Sequence, residues 1–266
     1  MIRKLGSLIK RLWVEPLSRG LNLDDENSIV VHHEIIKTKP LLRAAYLRWY
    51  REIVMAYRKI ESMSGDVVEI GSGAGFLDQL IPELIKTDVV PNPFASKIIN
   101  AMNLDFRDGQ LKAIFLVSVL HHIPDPARFL AEAERCLKPG GRLVMIEPNN
   151  SWIERALCKV LDHYEYFDDT IKDWKNKSSN IMTNANLAIP WVIFVRDRVV
   201  FERQFPHLRI QNIRHHTFLS YLISGGMVYR SFLPSFAAPL VNGFEDLLTP
   251  MMKILGMSMT IDIEKV

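Results

Sequence analysis

Three glycines at alternate positions, with an acidic residue just ahead of them, form the stretch best suited to chemistry. They are Gly71, Gly73 and Gly75, and the acidic residue is Glu69. Glycine permits backbone angles that other residues rarely adopt, and its missing Cβ lets a ligand lie directly against the main chain. The segment 67–77, VVEIGSGAGFL, therefore predicts a buried strand, a tight ligand-binding turn and the start of a helix. A plain structural turn is the alternative interpretation.

The position after the last glycine distinguishes between ligands. A dinucleotide-binding turn, G-x-G-x-x-G/A, has a small residue there, so that the helix packs closely on the strand and the pyrophosphate meets the helix N-terminus. This sequence has Phe76 at that position. A carboxylate at Glu69 also repels a phosphate, whereas it suits an amino-acid ammonium group. The pattern disfavours a nicotinamide-dependent oxidoreductase.

A second acidic residue, Asp88, lies at the end of the next predicted strand, Ile85 to Val90. A carboxylate at the carboxyl end of that strand is suited to accept hydrogen bonds from both hydroxyls of an adenosine ribose. The alternative is an aspartate that forms a turn before Pro91 and Pro93.

Histidines are the candidates for proton transfer. The nearly continuous apolar run from Leu111 to Leu120 predicts a buried strand that leads directly into His121 and His122. A histidine at the carboxyl end of a parallel strand lies at the ligand-binding edge of the sheet. His122 is the best candidate for a general base, and His121 and His163 compete with it. For each of them, a structural turn or lid histidine is the alternative.

Two motifs in the expected order resemble the class I S-adenosylmethionine-dependent methyltransferases that act on small molecules. The first is the segment 67–75, which matches [VL]-[LV]-[DE]-[VIL]-G-x-G-x-G, and the second is R-x-L-K-P-G-G-R-L-V-M-I-E-P at 135–148. Between them, 120–126 is similar to the L-H-H-I-x-D-P turn of many such enzymes. The chain departs from the family at Leu111 and Lys112, where F-D is usual.

The resemblance implies S-adenosylmethionine as the cofactor, bound across the carboxyl ends of the first strands. It also implies a binding segment after the third strand, Lys97 to Asn100, that often reads D-A-x-x-L-P-F in the family. Here Asn100 occupies the aspartate position and Asp105 the proline position. The Asn100 side-chain carbonyl can still accept a hydrogen bond from the adenine amino group. The implied cofactor-binding residues are Glu69, Gly71, Gly73, Gly75, Asp88, Asn100, Ala101, Met102 and Val119.

The family fold is a doubly wound α/β structure with a mostly parallel, seven-stranded sheet and a reversed last strand. We expect a helical N-terminal extension over 1–62 and the methyltransferase domain over 63–266. Within that domain we expect a lid insertion at about 151–206 and an apolar insertion at about 218–257.

The remaining elements follow from local patterns. Apolar residues at steps of three and four predict a helix from Leu41 to Glu61, preceded by a connection from Asp24 to Pro40. A first crossover helix, interrupted near Pro82, is predicted from Phe76 to Leu84. Other predictions are a helix that Asp125 caps and Gly140–Gly141 ends, a sixth strand from Leu208 to Ile213, a helix from Leu240 to Leu255 broken at Pro250 and a last strand from Met259 to Ile263.

Composition limits the class of protein. The 266 residues are enough for one large α/β domain, and the net charge of +3 is too small to imply nucleic-acid binding. Cys136 and Cys158 form neither a disulfide framework nor a metal cluster, which indicates a reducing compartment. No secretion signal or membrane span is visible, so we expect a cytoplasmic protein.

The N-terminal 21 residues predict a short basic amphipathic helix. Its apolar residues are Ile2, Leu5, Ile9 and Leu12, and they alternate with the cations Arg3, Lys4, Lys10 and Arg11. Such a helix binds anionic membrane surfaces, and the alternative is a helix packed on the domain with its basic face in solvent.

The motifs do not specify the methyl acceptor. The apolar insertions and the basic N-terminal helix favour a bulky or amphiphilic acceptor, such as a hydroxyl of a lipid, a quinone-like molecule or a lipid-linked saccharide. Methyl transfer from a sulfonium needs in-line positioning and, for a hydroxyl, removal of a proton, so no metal is required. A methyltransferase-like subunit that binds a partner without turnover is the alternative.

Overall fold

The computed structural model describes residues 13–21, 27–161, 166–176 and 185–266. Most of the predicted basic N-terminal helix, and His163, lie outside the described residues.

The centre of the fold is a seven-stranded sheet with the order β3-β2-β1-β4-β5-β7-β6. Only β7 runs antiparallel to its neighbours. This arrangement confirms the predicted doubly wound fold with a reversed last strand. The strands are β1 (Asp66–Glu69), β2 (Leu84–Asp88), β3 (Lys97–Ile98), β4 (Leu111–Val117), β5 (Leu137–Pro148), β6 (Leu208–His216) and β7 (Ser258–Lys265).

Helices cover both faces of the sheet. One face packs against α1 (Asn27–Thr38) and α2 (Pro40–Tyr57), and the other against α3 (Pro126–Cys136) and residues 188–205. The remaining helices are α4 (Trp152–Leu161), α5 (Ile189–Trp191), α6 (Arg198–Gln204), α7 (Leu219–Ser224), α8 (Ala238–Leu247) and α9 (Met252–Leu255). Because both faces are covered, the first six residues of β4 are all buried, which explains their nearly unbroken apolar sequence.

Two helix predictions are wrong. No crossover helix spans 76–84, where the structure has one turn of 3₁₀ helix, Leu77–Gln79. Pro82 lacks an N–H and clashes with the preceding turn, so it stops a helix there. Conversely, the predicted connection at 24–40 contains α1, whose Ile35 and Ile36 are buried against α2 and the sheet.

Part of the predicted lid belongs to the core instead. Ile189, Ile193 and Phe201 are fully buried and pack in the same cluster as Leu116 and Phe129 on the sheet. Burial against the sheet, rather than exposure over its edge, therefore explains the apolar residues of 187–205.

The C-terminal predictions agree better with the structure. The helix predicted at 240–255 is interrupted by a 3₁₀ turn at Thr249–Met251, which contains Pro250. Asp125 caps α3 by accepting from Arg128 N, although that helix ends at Cys136 and not at the glycine pair. Among the residues that the structure describes, no helix is both long and apolar enough to cross a membrane.

Candidate active site

The glycine-rich turn follows β1 and packs against the end of the neighbouring β4. Gly71 has a φ of +65°, and a Cβ added there would lie 2.7 Å from Val119 Cγ2. Any larger residue at Gly71 would therefore displace the segment that leads into the two histidines. The predicted cofactor residues Gly71 and Val119 are in direct contact.

Gly73 is open only in the direction where a Cβ would project, because its N–H donates to Asp88 Oδ2 and its carbonyl accepts from Asn92 Nδ2 at 2.8 Å. Its φ is +48°, and the nearest atom to an added Cβ would be Gly71 O at 4.0 Å. Gly75 differs, because an added Cβ would lie 2.6 Å from the Tyr50 hydroxyl below the turn. That hydroxyl accepts a hydrogen bond from Phe76 N, and Lys86 Nζ donates to Gly75 O. Tyr50 and Lys86 therefore hold the turn in place through hydrogen bonds, and space remains on the Cβ side of Gly73.

Glu69 is a buried carboxylate beneath this turn. It is only 1% exposed, and its Oε2 has no hydrogen-bond partner among the residues described. Burial raises the pKa of the Glu69 carboxyl to about 8, while Lys86 opposes the rise and nearby Asp78 and Asp88 add to it. An unpartnered, desolvated carboxylate is a site for a cationic group of a ligand.

Asp88 lies at the end of β2 and faces the turn, as predicted. Its Oδ2 accepts from Gly73 N at 3.0 Å and from Asn92 Nδ2 at 2.8 Å. Its Oδ1 accepts from Val89 N at 2.8 Å, which leaves one lone pair on that oxygen. A ligand diol that binds both oxygens must therefore replace the Asn92 amide, a contact that the sequence did not reveal.

The predicted adenine segment follows β3, the neighbour of β2 in the sheet. Asn100 is exposed, and its Oδ1 accepts from Met102 N at 2.9 Å. Ala101 and Met102 are half-buried and pack against the core, as Val119 does. The Asn100 oxygen keeps a second lone pair for the predicted contact with an amino group.

The two histidines differ sharply in their surroundings. His121 is 2% exposed, and its Nδ1 lies 2.6 Å from Glu147 Oε2 at the end of β5. The other oxygen, Glu147 Oε1, accepts from the backbone N–H groups of Val119 and Leu120. His122 is half-buried, with its ring centroid 4.3 Å from that of His121. Glu147 therefore fixes the turn and the enclosed His121, while His122 has access to the edge of the sheet.

Helix α1, before β1, contributes to the site a side chain that is not among the predicted site residues. His33 in α1 stacks on Phe94 with centroids 4.1 Å apart, and its Nδ1 lies 3.3 Å from Ala74 O. No local signal identifies this contact, because His33 belongs to a segment predicted as a connection.

An aromatic wall stands beside the turn, made of Tyr46 and Trp49 from α2 and Tyr221 from α7. Trp49 lies 4.8 Å from Tyr46 and 5.3 Å from Tyr221, centroid to centroid. Trp49 Nε1 also donates to the Thr217 hydroxyl. Burial raises the pKa of the Tyr46 hydroxyl, and Tyr221 and Glu69 add to that rise, so Tyr46 stays neutral. Trp49 is only 5% exposed, so the accessible part of the wall is the half-buried Tyr46 and Tyr221, and Tyr46 lies 6.1 Å from Phe76 at the end of the turn.

Local backbone strain marks the same edge of the sheet. Ser118 and Thr217 are the residues other than glycine with positive φ in the described parts of the chain, at 56° and 57°. Ser118 directly follows β4 and Thr217 directly follows β6, and both strands end at the edge that carries the turn. Such strained positions concentrate at functional sites.

Comparisons with known proteins identify a methyltransferase domain in the segment that carries the turn and both histidines. Residues 68–145 match a family model described as a methyltransferase domain. Over 91 residues the chain is 37% identical to an uncharacterized 37.1 kDa protein in transposon TN4556 of Streptomyces fradiae, covering 34% of this chain and 25% of that protein.

Two similar proteins with assigned activities are more distant. One is the 2-methyl-6-phytyl-1,4-hydroquinone methyltransferase of Synechocystis, 27% identical, with 38% of this chain and 40% of that protein covered. The other is the ubiquinone biosynthesis O-methyltransferase of Bradyrhizobium, 28% identical, with 46% and 56% covered. The chain thus spans less than two thirds of the length of each of these relatives.

Proposed function

We propose, from the premise that this chain is a class I S-adenosylmethionine-dependent methyltransferase, that it methylates an amphiphilic small molecule. The observation that carries the proposal is the arrangement of the glycine-rich turn, which combines the open Cβ side of Gly73 with two carboxylates, Glu69 near Gly75 and Asp88 hydrogen-bonded to Gly73 N.

The residues fit the cofactor group by group. Glu69 Oε2 lacks a partner and suits the ammonium of the methionine moiety, which would lie along Gly71, Gly73 and Gly75. Asp88 would accept from the ribose hydroxyls once the Asn92 amide is displaced. In this proposal Asn100, Ala101, Met102 and Val119 surround the adenine.

S-adenosylmethionine, when bound, supplies a methyl group on a positively charged sulfur. The chain must then hold the acceptor in line and take up its proton if the acceptor atom is a hydroxyl oxygen. His122 is the proposed base, because it is partly accessible at the end of β4. His121 is enclosed by Glu147 and is proposed to position its neighbour. His163 remains a candidate from the sequence.

The proposed acceptor is quinone-like or otherwise amphiphilic. The half-buried rings of Tyr46 and Tyr221, each packed against the buried Trp49, are suited to contact a planar, apolar ring. The similar proteins named for methylating a phytyl hydroquinone and for ubiquinone biosynthesis support this class of acceptor.

We propose the domain boundaries predicted from the sequence, with a helical extension over 1–62 before a methyltransferase domain over 63–266. The proposed lid stays at about 151–206, within which Ile171, Trp174 and much of 187–205 pack in the core. Asn176 supports this assignment, since its amide donates to His121 O at 2.7 Å and to Ile123 O at 2.9 Å.

A methyl-transfer assay with a metabolite and lipid extract, incubated long enough to detect slow turnover, tests the function. Purified protein is incubated with S-adenosylmethionine labelled in its methyl group, and the products are separated by chromatography. The proposal predicts a labelled, organic-soluble product that is lost with Gly73→Val. Cofactor binding without any labelled product across such extracts would favour a binding subunit instead.

The basic N-terminal helix is proposed to contact anionic membranes. Its apolar residues Ile2, Leu5, Ile9 and Leu12 would enter the headgroup boundary while the interspersed cations meet anionic lipid. Sedimentation with anionic vesicles should fall with salt and on deletion of 1–20. Equal sedimentation by intact and truncated protein would reject this anchor.

A further inference from the structure

A stripe of large apolar side chains lies on the outward side of α8 and the turns around it. We call this stripe the docking face, and it consists of Phe236, Leu240, Phe244, Leu247 and Met251. Steps of four, four, three and four residues keep these side chains on one side of a helical path. Their exposed fractions run from 51% at Met251 to 81% at Phe236. Exposed apolar surface of this extent marks an interaction site.

The fold itself does not need this face. The opposite side of α8 packs inward through Val241 and Glu245, which are 7% and 1% exposed. Glu245 accepts from Phe218 N and Ser220 N at the start of α7, and this fixes α8 in place. The helix is therefore anchored by one side while its apolar other side faces solvent.

Aromatic residues extend the apolar surface at its margins. Trp13 stacks on Phe232 with centroids 5.3 Å apart, and the two side chains are 41% and 51% exposed. Trp152 on α4, which packs against α9, is 63% exposed, and Ile254 on α9 is 55% exposed. Tryptophan prefers the boundary between water and lipid headgroups, because its ring is apolar and its N–H is polar.

The charged residues next to the docking face in the chain indicate which kind of partner it binds. Exposed cations lie beside it in the chain, at Arg230 before Phe232 and at Lys253 before Ile254. The exposed acid of α8, Asp246, is paired with Arg48 Nη2 at 2.5 Å. An apolar face with a cationic margin complements the surface of an anionic bilayer.

We infer that the docking face binds the surface of an anionic lipid bilayer. It belongs to the insertion after β6, and the carboxyl end of β6 lies at the same edge as the glycine-rich turn. The same insertion places Tyr221 of α7 in the aromatic wall. If the proposed function is right, the bilayer delivers an amphiphilic acceptor to that edge; the docking itself does not depend on turnover.

Vesicle sedimentation of the full chain tests the inference. The vesicles contain equal parts of phosphatidylglycerol and phosphatidylcholine, and pure phosphatidylcholine is the neutral reference. Leu240→Ser with Leu247→Ser should lower the partition coefficient on anionic vesicles by about tenfold or more. Val199→Ser is the matched control, because Val199 is 67% exposed on α6 and lies outside the docking face. It should bind as the wild type does.

Three results would overturn the inference. The first is unchanged vesicle binding by the Leu240/Leu247 double variant. The second is a wild-type protein that ignores vesicles but self-associates in sedimentation velocity, with the double variant monomeric, because a second copy would then cover the face. The third is vesicle binding that vanishes on deletion of 1–12 and is insensitive to the double variant.

The same samples separate docking from methyl transfer. S-adenosylmethionine binding by calorimetry should be equal in the wild type and the double variant, since both substituted residues lie outside the cofactor site. Vesicle binding without cofactor binding in the wild type would count against the proposed function alone. Normal cofactor binding with no vesicle binding would count against the docking face alone.

Discussion

Glu147 holds His121 from the neighbouring strand, with its Oε2 2.6 Å from His121 Nδ1. The same carboxylate accepts from the backbone of Val119 and Leu120, so one buried side chain fixes both the histidine and the turn that carries it. The turn that carries His121 also packs against Gly71 through Val119. The cofactor turn and the histidine turn are therefore one mechanically connected unit.

Removal of the Glu147 carboxylate should destabilise the fold. Glu147→Ala removes the acceptor of two backbone donors and the carboxylate beside the His121 imidazole, and we expect a loss of about 3 kcal/mol in the free energy of unfolding. Urea denaturation measures it. Glu202→Ala is the control, because that exposed helical pair with Arg198 should contribute about 0.5 kcal/mol or less. Equal losses in the two variants would show that Glu147 has no special structural role.

His122 should carry the proton transfer if the acceptor atom is a hydroxyl oxygen. His122→Ala is expected to lower turnover by about 10² to 10⁴ with nearly unchanged cofactor affinity. His207→Ala, at the exposed start of β6, is the control. Unchanged turnover with the same pH profile would make His122 a structural turn residue.

Cofactor binding should release a proton from Glu69. At pH 7 a carboxyl with a pKa of about 8 is mostly protonated, and an ammonium placed beside it favours the ionised form. Titration calorimetry in two buffers of different ionisation enthalpy should therefore report release of about one proton. Glu69→Gln should abolish the release. A wild-type enthalpy that does not depend on the buffer would contradict an ammonium at this carboxylate.

The same carboxylate should make the unliganded protein less stable as pH rises. Glu69 ionises with an ordinary pKa when unfolded but at about 8 when folded, so between these values the folded state binds more protons. Stability then falls with increasing pH across that window. Glu69→Gln should flatten this trend and raise the melting temperature at pH 8 by several degrees. A wild-type melting temperature that rises from pH 5 to pH 8 in parallel with the variant would refute the effect.

Much of the sheet could be predicted because its strands are buried on both faces. The run in β4 is apolar for that reason. The turn has glycine at position 71 because its φ is +65° and Val119 leaves no room for a Cβ. At 76–84 the interruption expected near Pro82 extends further than predicted, because only one 3₁₀ turn, Leu77–Gln79, forms before it. Helix α1 was missed because its apolar residues are β-branched and are interrupted by His32, His33 and Glu34, so the helix depends on packing against α2 and the sheet.

The sequence points to candidate site residues where a local pattern marks them, such as a glycine in a turn or an acidic residue at the end of a strand. Gly73 and Asp88 belong to that class, and the structure joins them by one hydrogen bond. The partners that fix them come from distant segments, namely Tyr50 under Gly75 and Glu147 behind His121. Contacts of this kind are set by tertiary packing, and no local spacing signals them.

Calorimetric titration with S-adenosylmethionine tests the central claim, that the cofactor lies on the open face of Gly73. Gly73→Val fills that space and should abolish binding, whereas Asp88→Ala should weaken it by about 1.5 to 3 kcal/mol through lost hydrogen bonds. Gly109→Val is the matched control, since Gly109 has a similar positive φ of +61° and no atom within 4 Å of an added Cβ. Its strain is comparable, but it precedes β4 at the opposite edge of the sheet. Wild-type affinity in Gly109→Val with none in Gly73→Val is the predicted result, and unchanged affinity in both Gly73→Val and Asp88→Ala would contradict it.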